Sequence, residues 1–80
     1  MITATQVRAA RAILRIGTRE LSQLAGVNQM TVVFFENGRK AHPSTGIKLQ
    51  QALEKAGVIF VPETYLHGPG VALKRDTAEV

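Results

Sequence analysis

The sequence predicts a mainly α fold, a compact bundle of four or five short helices closed by a C-terminal strand pair. Three observations predict it. Apolar residues recur three and four apart from Val7 to Ala56, the spacing of a helix face. Gly17, Gly26, Gly38 and Gly57 interrupt that pattern at short intervals, so the helices are short. Val58-Ile59-Phe60-Val61 is then a β-branched and aromatic run stopped by Pro62, which reads as a strand.

The elements follow in order. Thr3-Ala4-Thr5-Gln6 has the capping-box form, with Thr3 as cap and Gln6 reaching back. Val7, Ala10 and Leu14 share one face of the first helix, with Ile13 beside it, and Arg8, Arg11 and Arg15 line another. That arginine stripe reads as a solvated face, and Gly17 is the expected stop. A second helix spans about Thr18 to Ala25, with Leu21 and Leu24 inward and Gly26 closing it. Asn28 caps a third helix that runs to about Asn37, and Gly38 stops it. After a loop from Arg39, Pro43 and Ser44 start a fourth helix with Leu49, Leu53 and Ala56 inward, ending at Gly57. Gly46 in its first turn weakens it by up to ~1 kcal/mol relative to Ala. Strands are expected near residues 58–62 and 70–74, joined by the turn-rich His67-Gly68-Pro69-Gly70. One domain therefore covers residues 1–75, and residues 76–80 are expected to be a flexible tail.

Composition narrows the functions. At 80 residues, 45% hydrophobic and 20% charged, the chain is one small folded domain rather than a disordered segment. It contains no cysteine, which excludes disulfides and thiolate metal sites and suits a reducing cytoplasm. No apolar run approaches the ~20 residues of a membrane span. Met1 to Gln6 lacks the charged-then-apolar form of a secretory signal, so a cytoplasmic location is expected. The net charge of +4 arises entirely in residues 1–40, where six cations face only Glu20 and Glu36. Such a balance suits a polyanion, an acidic protein surface or a solvated face. His42 and His67 stand far apart with no ligand-spaced carboxylates, and Ser22 and Ser44 have no nearby base. No metal, cofactor or enzymatic activity is expected.

Residues 18–37 carry the functional signal. A small Ser22 stands where two helices would cross. Gly26 accepts positive φ, and Leu21, Ala25, Val27, Val32 and Phe35 occupy inner positions. Those are the demands of a helix-turn-helix unit. Glu36, an acid within the third helix, is expected to pair with a neighbouring arginine or backbone group.

Over about residues 3–75 the chain resembles the small single-domain Cro/C1-type, or XRE-type, helix-turn-helix regulators. The resemblance rests on Thr3-Ala4-Thr5-Gln6-Val7-Arg8-Ala9-Ala10-Arg11-Ala12, Glu20-Leu21-Ser22, Leu24-Ala25-Gly26-Val27, Thr31-Val32, Phe35-Glu36-Asn37-Gly38 and Ala52-Leu53-Glu54-Lys55-Ala56-Gly57-Val58. It continues into Gly68-Pro69-Gly70-Val71, like a branch of bacterial members that end in a short strand pair. It implies a lambda-repressor-like bundle and a cytoplasmic bacterial regulator of transcription, usually dimeric on DNA.

The recognition helix departs from the family pattern. Members usually open the second helix with Ser then Gln, the Gln holding a DNA phosphate. Gly17 and Thr18 stand there instead. The outward positions of the third helix are Asn28, Gln29, Met30, Val33, Phe34 and Asn37. Asn28 and Gln29 can read bases; Met30, Val33 and Phe34 have no hydrogen bonds to offer. An apolar patch rimmed by charge marks an interaction surface, and Arg15, Arg19, Arg39 and Lys40 supply the rim.

Two readings follow. In the first, Met30, Val33, Phe34, Asn37, Arg39 and Lys40 bind another transcription factor or regulatory protein and mask it, as an antiactivator does. In the second, Thr18, Arg19, Asn28, Gln29, Met30, Val33, Phe34, Arg39 and Lys40 bind a DNA operator, with the third helix in the major groove. The first is favoured because the departures fall on the positions that would read bases. Either a monomer or a homodimer fits.

Overall fold

The structure is a computed structural model that describes residues 1–75; the expected tail at 76–80 lies outside the described residues. Four helices and one antiparallel strand pair make a mainly α fold. The helices are α1 (Ala4–Leu14), α2 (Thr18–Ala25), α3 (Gln29–Glu36) and α4 (Pro43–Lys55). The strands are β1 (Val58–Val61) and β2 (Gly70–Leu73). There is no fifth helix among the described residues.

The capping box forms as expected. Thr3 Oγ1 accepts from the Gln6 amide at 3.1 Å, and Gln6 Oε1 accepts from the Thr3 amide at 2.9 Å. The same Gln6 side chain donates through Nε2 to the carbonyls of Gly70 (2.9 Å) and Val61 (3.4 Å). One buried amide thus starts α1 and ties it to both strands.

The end of α1 corrects the sequence expectation. The chain leaves the helix at Arg15, which takes the left-handed conformation (φ +58°). Its amide bonds to Ala12 O and the next amide, Ile16, to Arg11 O, a Schellman closure. Gly17 is instead the N-cap of α2, in extended conformation, with its amide held by Glu20 Oε1 at 3.2 Å. The two roles fall two residues apart, and Gly17 takes the second.

Gly26 (φ +70°) closes α2, with the Val27 amide bonded to Ser22 O at 3.0 Å. Asn28 Oδ1 accepts from the Met30 amide at 2.8 Å and starts α3. His42 is the N-cap of α4, its Nδ1 accepting from the Ser44 amide at 3.1 Å, and Pro43 occupies the first turn.

The core consists of Ile2, Val7, Ala10, Leu21, Val32, Leu49, Leu53 and Val58. Every helix and β1 contributes to it. Ile2, just before the Thr3 cap, joins Val7 in the core, the arrangement of a hydrophobic staple. Ser22 is buried beside Leu21, with its hydroxyl donating to Arg19 O at 2.6 Å. Leu24 and Ala56, expected inside, lie outside; Leu24 is 58% exposed. An eight-residue α2 buries the side of Leu21 and Ser22, and Leu24 falls at the edge of α4 rather than beneath it.

The strand pair runs antiparallel with Val58 opposite Leu73 and Val61 opposite Gly70, each strand one residue shorter at its C-terminal end than expected. Val58 is buried, and Phe60 and Val71 pack against the core. Thr64 organises the connecting loop: its amide donates to His67 O at 2.8 Å, and its hydroxyl accepts from the Leu66 amide at 3.1 Å. No helix among the described residues is long and apolar enough to cross a membrane.

Candidate functional site

The candidate surface is built on α3. Val32 supplies the fully buried side of this helix, with Glu36 one turn on. That orientation sends Gln29, Met30 and Phe34 outward and leaves Val33 partly covered. Met30 is 51% exposed and Phe34 38% exposed. Asn37, Arg39 and Lys40 follow, all exposed.

Glu36 is held where a carboxylate would otherwise be costly. Its oxygens accept a two-pronged bond from Arg11, at 2.6 Å from Nε and 2.7 Å from Nη2, and Arg11 also reaches Ile16 O at 3.3 Å. The hydrogen bonds and charge of Glu36 raise Arg11 above the ordinary guanidinium range, against the opposing effect of burial. Arg11 therefore leaves the solvated stripe to which its spacing assigned it, while Arg8 and Arg15 stay exposed. This pair clamps α1 to α3 and fixes how α3 presents its outer side.

Phe34 and Arg39 form one unit. Gly38 (φ +75°) turns the chain so that the Arg39 amide bonds to Phe34 O at 3.0 Å. The Arg39 guanidinium carbon stands 4.8 Å from the centre of the Phe34 ring, a cation–π contact. Beside it a cavity of about 240 Å³ opens between α3 and the start of α4, lined by Thr31, Phe34, Lys40, Ala41, His42 and Thr45. Sequence reasoning missed Thr31, Ala41, His42 and Thr45 as neighbours of Phe34. The sequence held no signal for them, because the His42 cap of α4 is local and packing decides which helix its loop meets.

At the other end of α3, Gln29 Nε2 donates to Thr18 Oγ1 at 3.0 Å. Asn28 spends its side-chain oxygen on the cap. Arg19 is exposed on α2. The structure thus joins Thr18 with Gln29, and Phe34 with Arg39 and Lys40, as two groups at opposite ends of one helix. Met30 and Val33 do not line the Phe34 cavity.

The larger cavity, about 320 Å³, lies away from α3, at the seam between the N-terminus and the strand pair. Its Gln6 is already engaged with backbone on three sides, and the charged residue among its lining is Glu63. It offers no catalytic grouping. No protein-family model matches the chain, and no curated protein is significantly similar to it.

Proposed function

We propose that the chain is a helix-turn-helix transcriptional regulator of the XRE type that acts by protein contact. In this reading α2, the Gly26 turn and α3 are the helix-turn-helix unit of a lambda-repressor-like bundle. α3 covers the working surface of another transcription factor, as an antiactivator. The observation that carries the reading is the exposure of Met30 and Phe34 on a helix whose buried side Val32 already supplies. Large apolar side chains held at a surface are anchors for protein, and base edges have little use for them.

Direct operator binding is the second reading, and one observation favours it. Thr18 holds the Gln29 amide at the exposed start of α3, and Gln29 Oε1 has no hydrogen bond among the described residues. A side chain so oriented suits adenine in the major groove.

One experiment separates them. The protein is titrated into random duplex DNA over a range of salt, beside Phe34→Ala and Gln29→Ala. Protein contact predicts weak DNA binding that neither substitution changes, with regulatory activity lost in Phe34→Ala. Operator binding predicts tight, steeply salt-dependent binding to a selected sequence, lost in Gln29→Ala.

A further inference from the structure

We infer that the segment docking on α3 is acidic: a stretch of protein that sets an apolar side chain into the cavity beside Phe34 and carboxylates onto Arg39 and Lys40. The inference rests on the protein-contact reading and names the chemistry of the partner.

The first argument is size. About 240 Å³ between Phe34 and Thr45 is ample for one large side chain, since a cavity of roughly 150 Å³ takes a benzene ring. Phe34, Ala41, His42 and the two threonines line it together with Lys40.

The second argument is charge. The carboxylates of the described residues lie elsewhere. Glu36 is held by Arg11, Glu20 accepts from the Gly17 amide, Glu54 accepts from Gln50 at 3.4 Å, and Glu63 lines the far cavity. No described carboxylate pairs with Arg39 or Lys40. Arg39 is meanwhile steadied over the Phe34 ring, which leaves the edge of its planar donor fork for a carboxylate.

The third argument eliminates other occupants. A second copy docked on the same face would set Arg39 and Lys40 against their like, because a two-fold contact pairs each patch with itself. Nucleic acid would satisfy the two cations and leave Phe34 and the cavity unused. An acidic protein segment with an apolar anchor uses all of them.

The test is selection from a displayed library of random peptides on the purified protein. Parallel selections use Phe34→Ala and the double variant Arg39→Glu/Lys40→Glu, each first shown folded by circular dichroism. The expected result is a set of peptides rich in Asp and Glu around a large apolar residue. Their affinity falls about tenfold or more in either variant, a difference of ~1.4 kcal/mol. The double variant selects basic peptides instead. Peptides that depend on Phe34 but show no acidic excess, or that bind the double variant equally, overturn the acidic partner and leave protein contact standing. If no peptide depends on Phe34, both fall. Salt-sensitive binding of random duplex DNA alongside that outcome then returns the surface to nucleic acid.

Discussion

Leu21 is fully buried, in a core of only eight buried apolar residues among those described. Leu21→Ala is expected to cost about 2–5 kcal/mol, enough to unfold much of a domain this small. A thermal midpoint equal to that of the parent would show that α2 is misplaced. The Arg11–Glu36 fork makes a different prediction. Glu36 is almost wholly enclosed and Arg11 is 23% exposed. Arg11→Ala strands a buried carboxylate and is expected to cost about 2 kcal/mol or more in urea unfolding, below the full ~3–5 of a deep pair because Arg11 keeps some water. Arg11→Met/Glu36→Leu, which removes both charges, is expected to recover most of that loss. The sign with pH follows from the raised Arg11 value. Its contribution is complete below the ordinary guanidinium range and is lost only as pH climbs through the raised one, so Arg11 adds no slope to stability near neutrality. Sequence pattern placed Glu36 correctly as a paired acid. It put Arg11 on a solvent stripe, because spacing along α1 says nothing of a carboxylate arriving from α3.

At the scale of elements, the helix ends carry the testable detail. Arg15 holds the left-handed position that closes α1, where a side chain costs ~1–2 kcal/mol relative to glycine. Arg15→Gly is expected to stabilise the protein by about 1 kcal/mol, a rise of roughly 4–8 °C in thermal midpoint for a domain of this size. A fall would mean that α1 closes elsewhere. Gly46 is the converse. It lies inside α4 with negative φ, and an added Cβ would stand 3.6 Å from the Phe35 ring, an ordinary contact. Gly46→Ala is therefore expected to stabilise α4 by up to about 1 kcal/mol, read from the denaturation midpoint. Loss of stability instead would show that the Phe35 ring cannot accept the methyl. Gly46 was readable as local chemistry, whereas Arg15 was not: the sequence suggested Gly17 as the stop for α1. A glycine two residues late serves equally well as the N-cap of the next helix, and only the backbone path decides which.

The whole molecule presents two unlike sides. The α3 side gathers Met30, Phe34, Arg39 and Lys40. The groove between α2 and α4 exposes Leu24 above Ala52 and Ala56, with Lys55 at its edge. Phe34→Ala is expected to lower stability by less than about 1 kcal/mol, since more than a third of the side chain is already in water. The same change should abolish regulation. A loss of several kcal/mol would show Phe34 to be core, and its functional effect would then be trivial. Leu24→Ala supplies the comparison: at 58% exposed Leu24 stands further into water than Phe34, so a small cost and no effect on partner binding at α3 are expected.

Helical periodicity, the Thr3, Asn28 and Gly26 signals and the β-branched run after Gly57 were sufficient for the order of elements, because each rests on interactions within a few residues. The mainly α class with its terminal strand pair was legible for that reason, as was the outward placing of Gln29, Met30 and Phe34 on α3, though Val33, expected outward with them, is partly covered. Contacts between elements were not. That Gln6 spans from the start of α1 to Gly70 and Val61, that Arg11 crosses to Glu36, that Leu24 stays outside and that the loop at His42 closes a cavity on Phe34 depend on how the helices are packed. Spacing along one chain specifies a direction around one helix axis. What stands in that direction is decided only when another element is brought there by burial of the shared core.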